Sequence, residues 1–204
     1  MPRGRHAPPL EIRLGRQRRR LFAAASAVFS RVGYADATAE AIAREAGMSK
    51  ATFYEHFANK EDCIVALFDT ATDVVLEAMR AAARSSRDAP QAQRIHALVA
   101  AFLQALADFP DEAQTLLVEI VGAGPRALAR RDRALDAVAQ YIDEFNREDA
   151  ARGAARRLGS PHDAFAIVGA VVELASRQIR TGRPDDIREL EPVVERLVLG
   201  LLRM

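Results

Sequence analysis

Ser49-Lys50-Ala51-Thr52-Phe53-Tyr54-Glu55-His56-Phe57 is the stretch whose reading decides the fold. It has the pattern of a short helix. Ser49 is a good cap, because its hydroxyl can accept a hydrogen bond from a free backbone N–H in the next turn. Phe53 and Phe57 stand four apart and share one face. Lys50, Thr52, Tyr54 and His56 spread hydrogen-bonding groups over the remaining surface. A second short helical pattern, Thr38 to Ala46, comes just before, and Gly47-Met48 joins the two. Gly47 suits the left-handed residue that ends a helix. Met48 and Phe53 fall at the two positions of a hydrophobic staple. Two short helices about a glycine turn make a helix-turn-helix, whose second helix enters the major groove of DNA.

Upstream, Leu21, Ala25, Val28, Phe29 and Val32 recur at helical spacing, which predicts a helix from about Arg16 to Val32 ended by Gly33. Thr38 caps the next helix, and Glu40 suits the positive end of its dipole. Downstream, Asn59 caps a long helix running to about Ser85, with Glu61 and Asp62 in its first turn. Lys50 and Lys60, the only two lysines in the chain, suit their positions badly. Each opens a helix, where a cation opposes the dipole by about 0.3–1 kcal/mol. An anionic partner outside the fold, a DNA phosphate, would explain both.

The whole chain has 204 residues, half of them hydrophobic, enough for one large or two small domains. Helix formers dominate and strand-like alternation is scarce, so an all-α fold of about nine helices is expected. Cys63 is the only cysteine, which excludes an intrachain disulfide and argues against a thiolate metal cluster. Residues 1–60 hold nine Arg and two Lys against one Asp and four Glu, a net +6. The chain as a whole carries +1, so the rest is at −5. A basic first part on an acidic body points to a polyanion partner for that part alone. Residues 1–12, with Arg3, Arg5 and His6, are expected to be a disordered basic arm. With Arg13, Arg16 and Arg18 to Arg20 it would reach phosphates or the minor groove. No apolar h-region follows the first basic residues, and the longest apolar run, Ala164 to Val172, stops at Glu173. No secretory signal and no membrane span are expected, and a cytoplasmic location follows.

Phe29, Gly33-Tyr34, Thr38, Ile42-Ala43, Ala46-Gly47-Met48-Ser49, Thr52-Phe53-Tyr54, His56-Phe57 and Asn59-Lys60-Glu61 together resemble the N-terminal domain of the tetracycline-repressor (TetR) family of bacterial transcriptional regulators. The resemblance covers residues 17–68, about a quarter of the chain. It implies that Thr38, Ser49, Lys50, Thr52, Tyr54, His56 and Lys60 contact operator DNA. The tyrosine and histidine would touch phosphates and so position more than they specify. Ala51 can do no more than touch a thymine methyl, which leaves Lys50 and Thr52 as the candidates for base readout.

Residues 13–60 would then be the DNA-binding domain and residues 61–204 a ligand-binding and dimerisation domain, with no linker between them. Breaks at Ser85–Pro90, Phe109-Pro110, Gly122–Pro125 and Gly182–Pro184 divide the second part into helices. Ser160-Pro161-His162-Asp163 is a strong helix start. The last two long helices are apolar over more than one face. The resemblance implies that they pair with a second copy, and Val168, Val171, Val172, Val194, Leu197, Val198 and Leu201 are the expected interface.

The resemblance also implies a small-molecule effector among the helices of the second part. Its candidate contacts are His96, Phe102, Glu119, Tyr141, Phe145, Phe165 and Glu173, around a mainly apolar ligand. Each also has a plainer reading: surface for the polar residues, core for the aromatic ones. No metal ligand set and no cofactor motif is evident.

The leading function is a homodimeric repressor that a small molecule releases from a palindromic operator. The alternative is a DNA-binding regulator without such an effector, controlled by a protein partner or constitutive. An enzyme is disfavoured, because neither a paired metal-ligand motif, a nucleophile elbow nor a phosphate-binding glycine loop is found.

Overall fold

A computed structural model describes residues 10–153 and 155–203. Among these residues there are nine α-helices and no strand. The first four are α1 (Leu10–Asp36), α2 (Ala39–Glu45), α3 (Lys50–His56) and α4 (Lys60–Ser85). Next come α5 (Gln91–Asp108), α6 (Pro110–Leu117) and a 3₁₀ turn, Glu119–Gly122. The chain ends with α7 (Pro125–Ala151), α8 (Pro161–Thr181), a second 3₁₀ turn, Ile187–Leu190, and α9 (Glu191–Arg203). Arg3, Arg5 and His6 of the expected arm lie outside the described residues.

One expectation is corrected at the start. Leu10 to Ile12 belong to α1, which begins six residues before the predicted Arg16. From Leu10 to Arg16 the sequence has no proline to interrupt a helix. Leu10, Ile12 and Leu14 are exposed, so this first stretch is held by its own backbone rather than by the core. At the other end, Gly33 leaves helical geometry with φ 76°, so Tyr34 to Asp36 form a link to α2.

The local chemistry of the first domain sets its geometry. Thr38 Oγ1 accepts the Ala41 N–H at 3.0 Å and opens α2. That helix closes in a Schellman turn: Met48 N–H donates to Ala43 C=O at 2.8 Å, and Gly47 N–H donates to Arg44 C=O at 3.0 Å. Gly47 has φ 63°, which only glycine adopts cheaply. Ser49 Oγ then accepts the Thr52 N–H at 3.1 Å to open α3. Asn59 Oδ1 does the same for Asp62 at 2.8 Å and opens α4.

Leu21, Val28, Phe29, Ile42, Phe53 and Ile64 are at most 1% exposed and form the centre of this domain. The same apolar cluster continues through Leu67 and Phe68 into Leu103, Leu116, Ile120 and Val194. A second cluster, with Ile95, Ala139, Ile167 and Leu202, joins α5, α7, α8 and α9 at the far end. Fully burying a Leu- or Phe-sized side chain is worth about 1.5–3 kcal/mol, so this unbroken core ties the two parts together strongly.

Candidate nucleic-acid interface and internal cavity

On α3, Phe53 is fully buried and Phe57, just beyond the helix, is 4% exposed. They point the opposite side of α3 outward. Lys50, Ala51 and Tyr54 are exposed there, and Thr52 is half-buried. Tyr54 is 50% exposed, with its ring set edge-on to Phe53 at 5.5 Å. Thr38 and Ser49 are exposed at the starts of α2 and α3. Six of the predicted residues are therefore exposed or half-buried, on α3 and at the starts of α2 and α3. The Thr52 hydroxyl is already within 3.0 Å of Ser49 Oγ, so it meets a base as part of a pair of hydroxyls. Lys50 is 58% exposed on its side chain, and its one ion pair, to Glu40, is at 4.0 Å. Such a pair is worth 0 to about 1 kcal/mol and does not hold the lysine back. Glu55 is exposed as well, alongside these residues rather than packed away.

Two predicted contacts stand differently. The argument for a phosphate at Lys60 is corrected, because its compensation lies inside the fold. Its ammonium donates to the carbonyls of Tyr34 at 2.8 Å, Ala35 at 2.9 Å and Ala37 at 3.1 Å. It also lies 4.4 Å from the Tyr34 ring centroid. An ammonium has three donors, and all three are taken. Lys60 thus clamps the α1–α2 link to the start of α4. His56 is half-buried, and its Nε2 is enclosed without a hydrogen-bond partner. That atom is not presented to a phosphate.

Two arginines of the basic cluster are also engaged internally. Arg20 donates to Ala46 C=O at 2.7 Å, which caps the end of α2. Arg18 lies over the rings of Phe22 and Phe57 at 5.2 and 5.4 Å. Arg13, Arg16 and Arg19 are exposed on α1. Burial pushes the Cys63 thiol up to about 12, with Arg18 pulling weakly the other way, so it stays an inert, buried thiol.

The second part holds a partly open cavity of about 190 Å³ between α4, α5, α6, α7, α8 and α9. Its wall is almost entirely apolar. Phe102, Tyr141 and Phe145, predicted to meet a ligand, line it. The other four do not. His96 is 61% exposed, with Nδ1 2.6 Å from Glu191 Oε1 and 2.7 Å from Glu195 Oε1. Glu119 accepts the Tyr34 N–H at 2.7 Å and a Gln114 side-chain N–H at 2.8 Å. Phe165 is 47% exposed, on a shallow surface groove of α7 and α8. Glu173 is exposed and pairs with Arg180 at 2.8 Å. In each case, a position beside an apolar run was no guide to which side of the helix the residue occupies.

The predicted subunit interface needs the same correction. Val168 and Val194 are 5% and 1% exposed, and with Val171, Val172 and Val198 they line the cavity. Leu197 and Leu201 are half-buried. The outward side of these two helices carries Phe165, Ala166 and Gly169 on α8 and Val193 and Gly200 on α9. Both helices are apolar on two sides, and Val168, Val171, Val172, Val194 and Val198 stand on the inward one.

Sequence reasoning missed Arg94 and Asp149. Both are buried, at 2% and 3% exposure, and paired with each other in the cavity wall. The signal was present: Arg94 shares a helical stripe with Leu98 and Phe102, where a charge is out of place. Asn146, also in the wall, accepts the Leu158 N–H at 2.8 Å and donates to Arg156 C=O at 2.8 Å. It thereby pins the segment after α7 against the remote end of the cavity. His96, Glu191 and Glu195 form the one group among the described residues that brings three metal-ligating side chains together. It lies at the surface, away from the cavity. Among the described residues, no helix is long and apolar enough to cross a membrane.

Residues 21–67 match the family described as bacterial regulatory proteins, tetR family. A curated relative, the HTH-type transcriptional activator FasR of Mycolicibacterium smegmatis, is 39% identical over 92 residues, 44% of this chain. That match spans 41% of FasR, so the chain covers about two-fifths of the relative's length. The solved structure of the fatty acid degradation regulator FadR from Bacillus halodurans superposes with a TM-score of 0.78 at 21% identity, over 98% of this chain and 99% of that one. FadR from Bacillus subtilis, solved in complex with stearoyl-CoA, gives 0.75 at 19% identity, over 89% of this chain and 98% of that one. At such identities the structures establish a shared fold, here along almost the whole chain. The matched family consists of DNA-binding regulators rather than enzymes.

Proposed function

Because the chain carries the N-terminal domain of the tetR family at residues 21–67, we propose that it is a homodimeric transcriptional regulator whose operator binding is released by a long-chain acyl ligand in the internal cavity. The observation that carries the acyl reading is the cavity wall: it is apolar over nearly its whole length and is built on α4, the helix that opens at Lys60. The stearoyl-CoA bound by the similarly folded FadR of Bacillus subtilis supports it.

Two copies pair through the outward sides of α8 and α9, around Phe165, Gly169, Val193 and Gly200. Their α3 helices then enter successive major grooves of a palindromic operator, about 34–36 Å apart. Lys50 and Thr52 meet base edges. Thr38, Ser49 and Tyr54 position the head on phosphates, with Ala51 against a methyl group. The ligand must bind the DNA-incompetent state more tightly, since only differential affinity shifts the equilibrium. Release of an operator that overlaps a promoter is derepression, which is the mode we infer.

Selection of bound sites from random DNA, followed by titration of palmitoyl-CoA into the complex, tests the reading. A two-fold symmetric site and dissociation on titration are expected. An asymmetric single half-site would rule out the dimer. A complex indifferent to palmitoyl-CoA, palmitate and methyl palmitate would rule out the acyl effector.

A further inference from the structure

The cavity is so uniformly apolar that its polar exceptions are informative. Among the described residues, four buried side-chain polar atoms lack a hydrogen-bond partner: Ser26 Oγ, His56 Nε2, Thr72 Oγ1 and Arg94 Nε. Two of these residues, Thr72 and Arg94, line the cavity. Arg94 is 2% exposed. Its Nη1 is paired with Asp149, and its guanidinium lies 4.5 Å from the Phe145 ring centroid. The charge is therefore matched, yet the Nε–H is unused. An unpaired donor on a charged group in an apolar wall is strongly unfavourable, and a ligand acceptor there removes the deficit.

We propose that Arg94 Nε–H holds the carbonyl oxygen of the acyl ligand. This rests on the acyl reading above. A carbonyl accepts from a charged donor without adding charge. Position agrees with this. α4 leaves the DNA-binding head at Lys60 and α5 returns toward it, so Arg94, in the first turn of α5, lies at the remote end. Thr72 stands midway along α4 beside Phe68 and Leu76, where methylenes pass. The polar end of the ligand is thus at Arg94, and its chain runs toward the head.

The test uses the full chain and four probes: palmitoyl-CoA, methyl palmitate, palmitate, and hexadecane delivered in cyclodextrin. Wild type is expected to bind the two esters at least tenfold tighter than hexadecane, which has no carbonyl. Arg94→Lys keeps the charge but has no Nε–H; Arg94→Met with Asp149→Leu removes the ion pair at similar volume. Both variants should lose at least tenfold for the esters and keep their hexadecane affinity. Parallel losses for methyl palmitate and palmitoyl-CoA support recognition of the carbonyl from either source. A loss seen with palmitoyl-CoA alone supports a thioester. Unchanged ester binding in Arg94→Lys, or equal losses for hexadecane, overturns the assignment alone. A wild-type cavity that binds no probe overturns the acyl reading, and the assignment with it.

Discussion

Tyr34 donates its backbone N–H to Glu119 Oε2 at 2.7 Å, across eighty-five residues of chain. Its carbonyl accepts from Lys60 Nζ at 2.8 Å. Tyr34 is therefore held from both sides, by the body through its N–H and by the start of α4 through its C=O. Glu119 opens the 3₁₀ turn just after α6, whose Leu116 and Leu117 line the cavity. A displacement of α6 by a ligand thus has a short, bonded route to the link in front of α2.

Glu119→Ala leaves the Tyr34 N–H unpaired. Denaturant unfolding should show a loss of about 1–2 kcal/mol, with the stability largely restored in Glu119→Gln, which keeps an acceptor. The alanine variant should also show a smaller change in operator affinity on ligand addition. A full ligand response in Glu119→Ala would mean that the coupling runs elsewhere.

Lys60→Met removes three hydrogen bonds but no free charge at the surface. We expect a stability loss of roughly 1–3 kcal/mol and an unchanged slope of log affinity against log salt. A slope lower by about one would show that Lys60 leaves its carbonyls to meet a phosphate.

Lys50→Ala should behave in the opposite way. The side chain is exposed and barely paired, so stability should change by less than about 0.5 kcal/mol. Binding to the selected operator should fall, by roughly 1–3 kcal/mol if Lys50 reads a base. Equal weakening on every sequence would make it a phosphate contact only.

His96 is raised above its usual 6.5, first by its hydrogen bond with Glu195, with burial opposing and the charges of Glu191 and Glu195 adding. A folded pKa above the unfolded one stabilises fully below the unfolded value. That contribution is lost as pH rises through the folded value. Stability should therefore decline as pH climbs from 6.5, and His96→Asn should flatten this decline. An NMR titration of the imidazole with a midpoint at or below 6.5 would contradict it.

Phe165→Glu and Val194→Glu separate the two sides of the last helices. Phe165 is 47% exposed and Val194 is 1% exposed. The first substitution should give a folded monomer by sedimentation. The second buries a charge in the core and should unfold the chain or lower its melting point steeply. A stable dimer of Phe165→Glu would place the contact elsewhere.

The helix starts and the turn were legible because their chemistry is local. Thr38, Ser49, Asn59 and Gly47 act on atoms within four residues of themselves. The internal partners of Lys60 were not legible, for the opposite reason. Its position at a helix start is visible in the sequence, but its carbonyl partners lie 23 to 26 residues away and only the fold brings them near. Phe102, Tyr141 and Phe145 were legible as inward-facing, because aromatic residues on an apolar stripe face inward, and they stand in the cavity wall. Val168 and Val194 were placed on the wrong side because α8 and α9 have two apolar sides, and periodicity does not say which one the rest of the chain covers. Arg94 escaped because a single charge on a stripe looks like the edge of a surface.

The apolar cluster that runs from Leu21 through Phe68 to Val194 has one more consequence. It makes the head non-portable. A fragment cut at residue 60 would lose Ile64, Leu67 and Ile120 from the apolar cluster in which Phe29, Phe53 and Phe57 are buried. Grafting this head onto another body would require a seam through packed side chains rather than through a tether. Its binding specificity is better transplanted residue by residue, on the outward side of α3, than as a module.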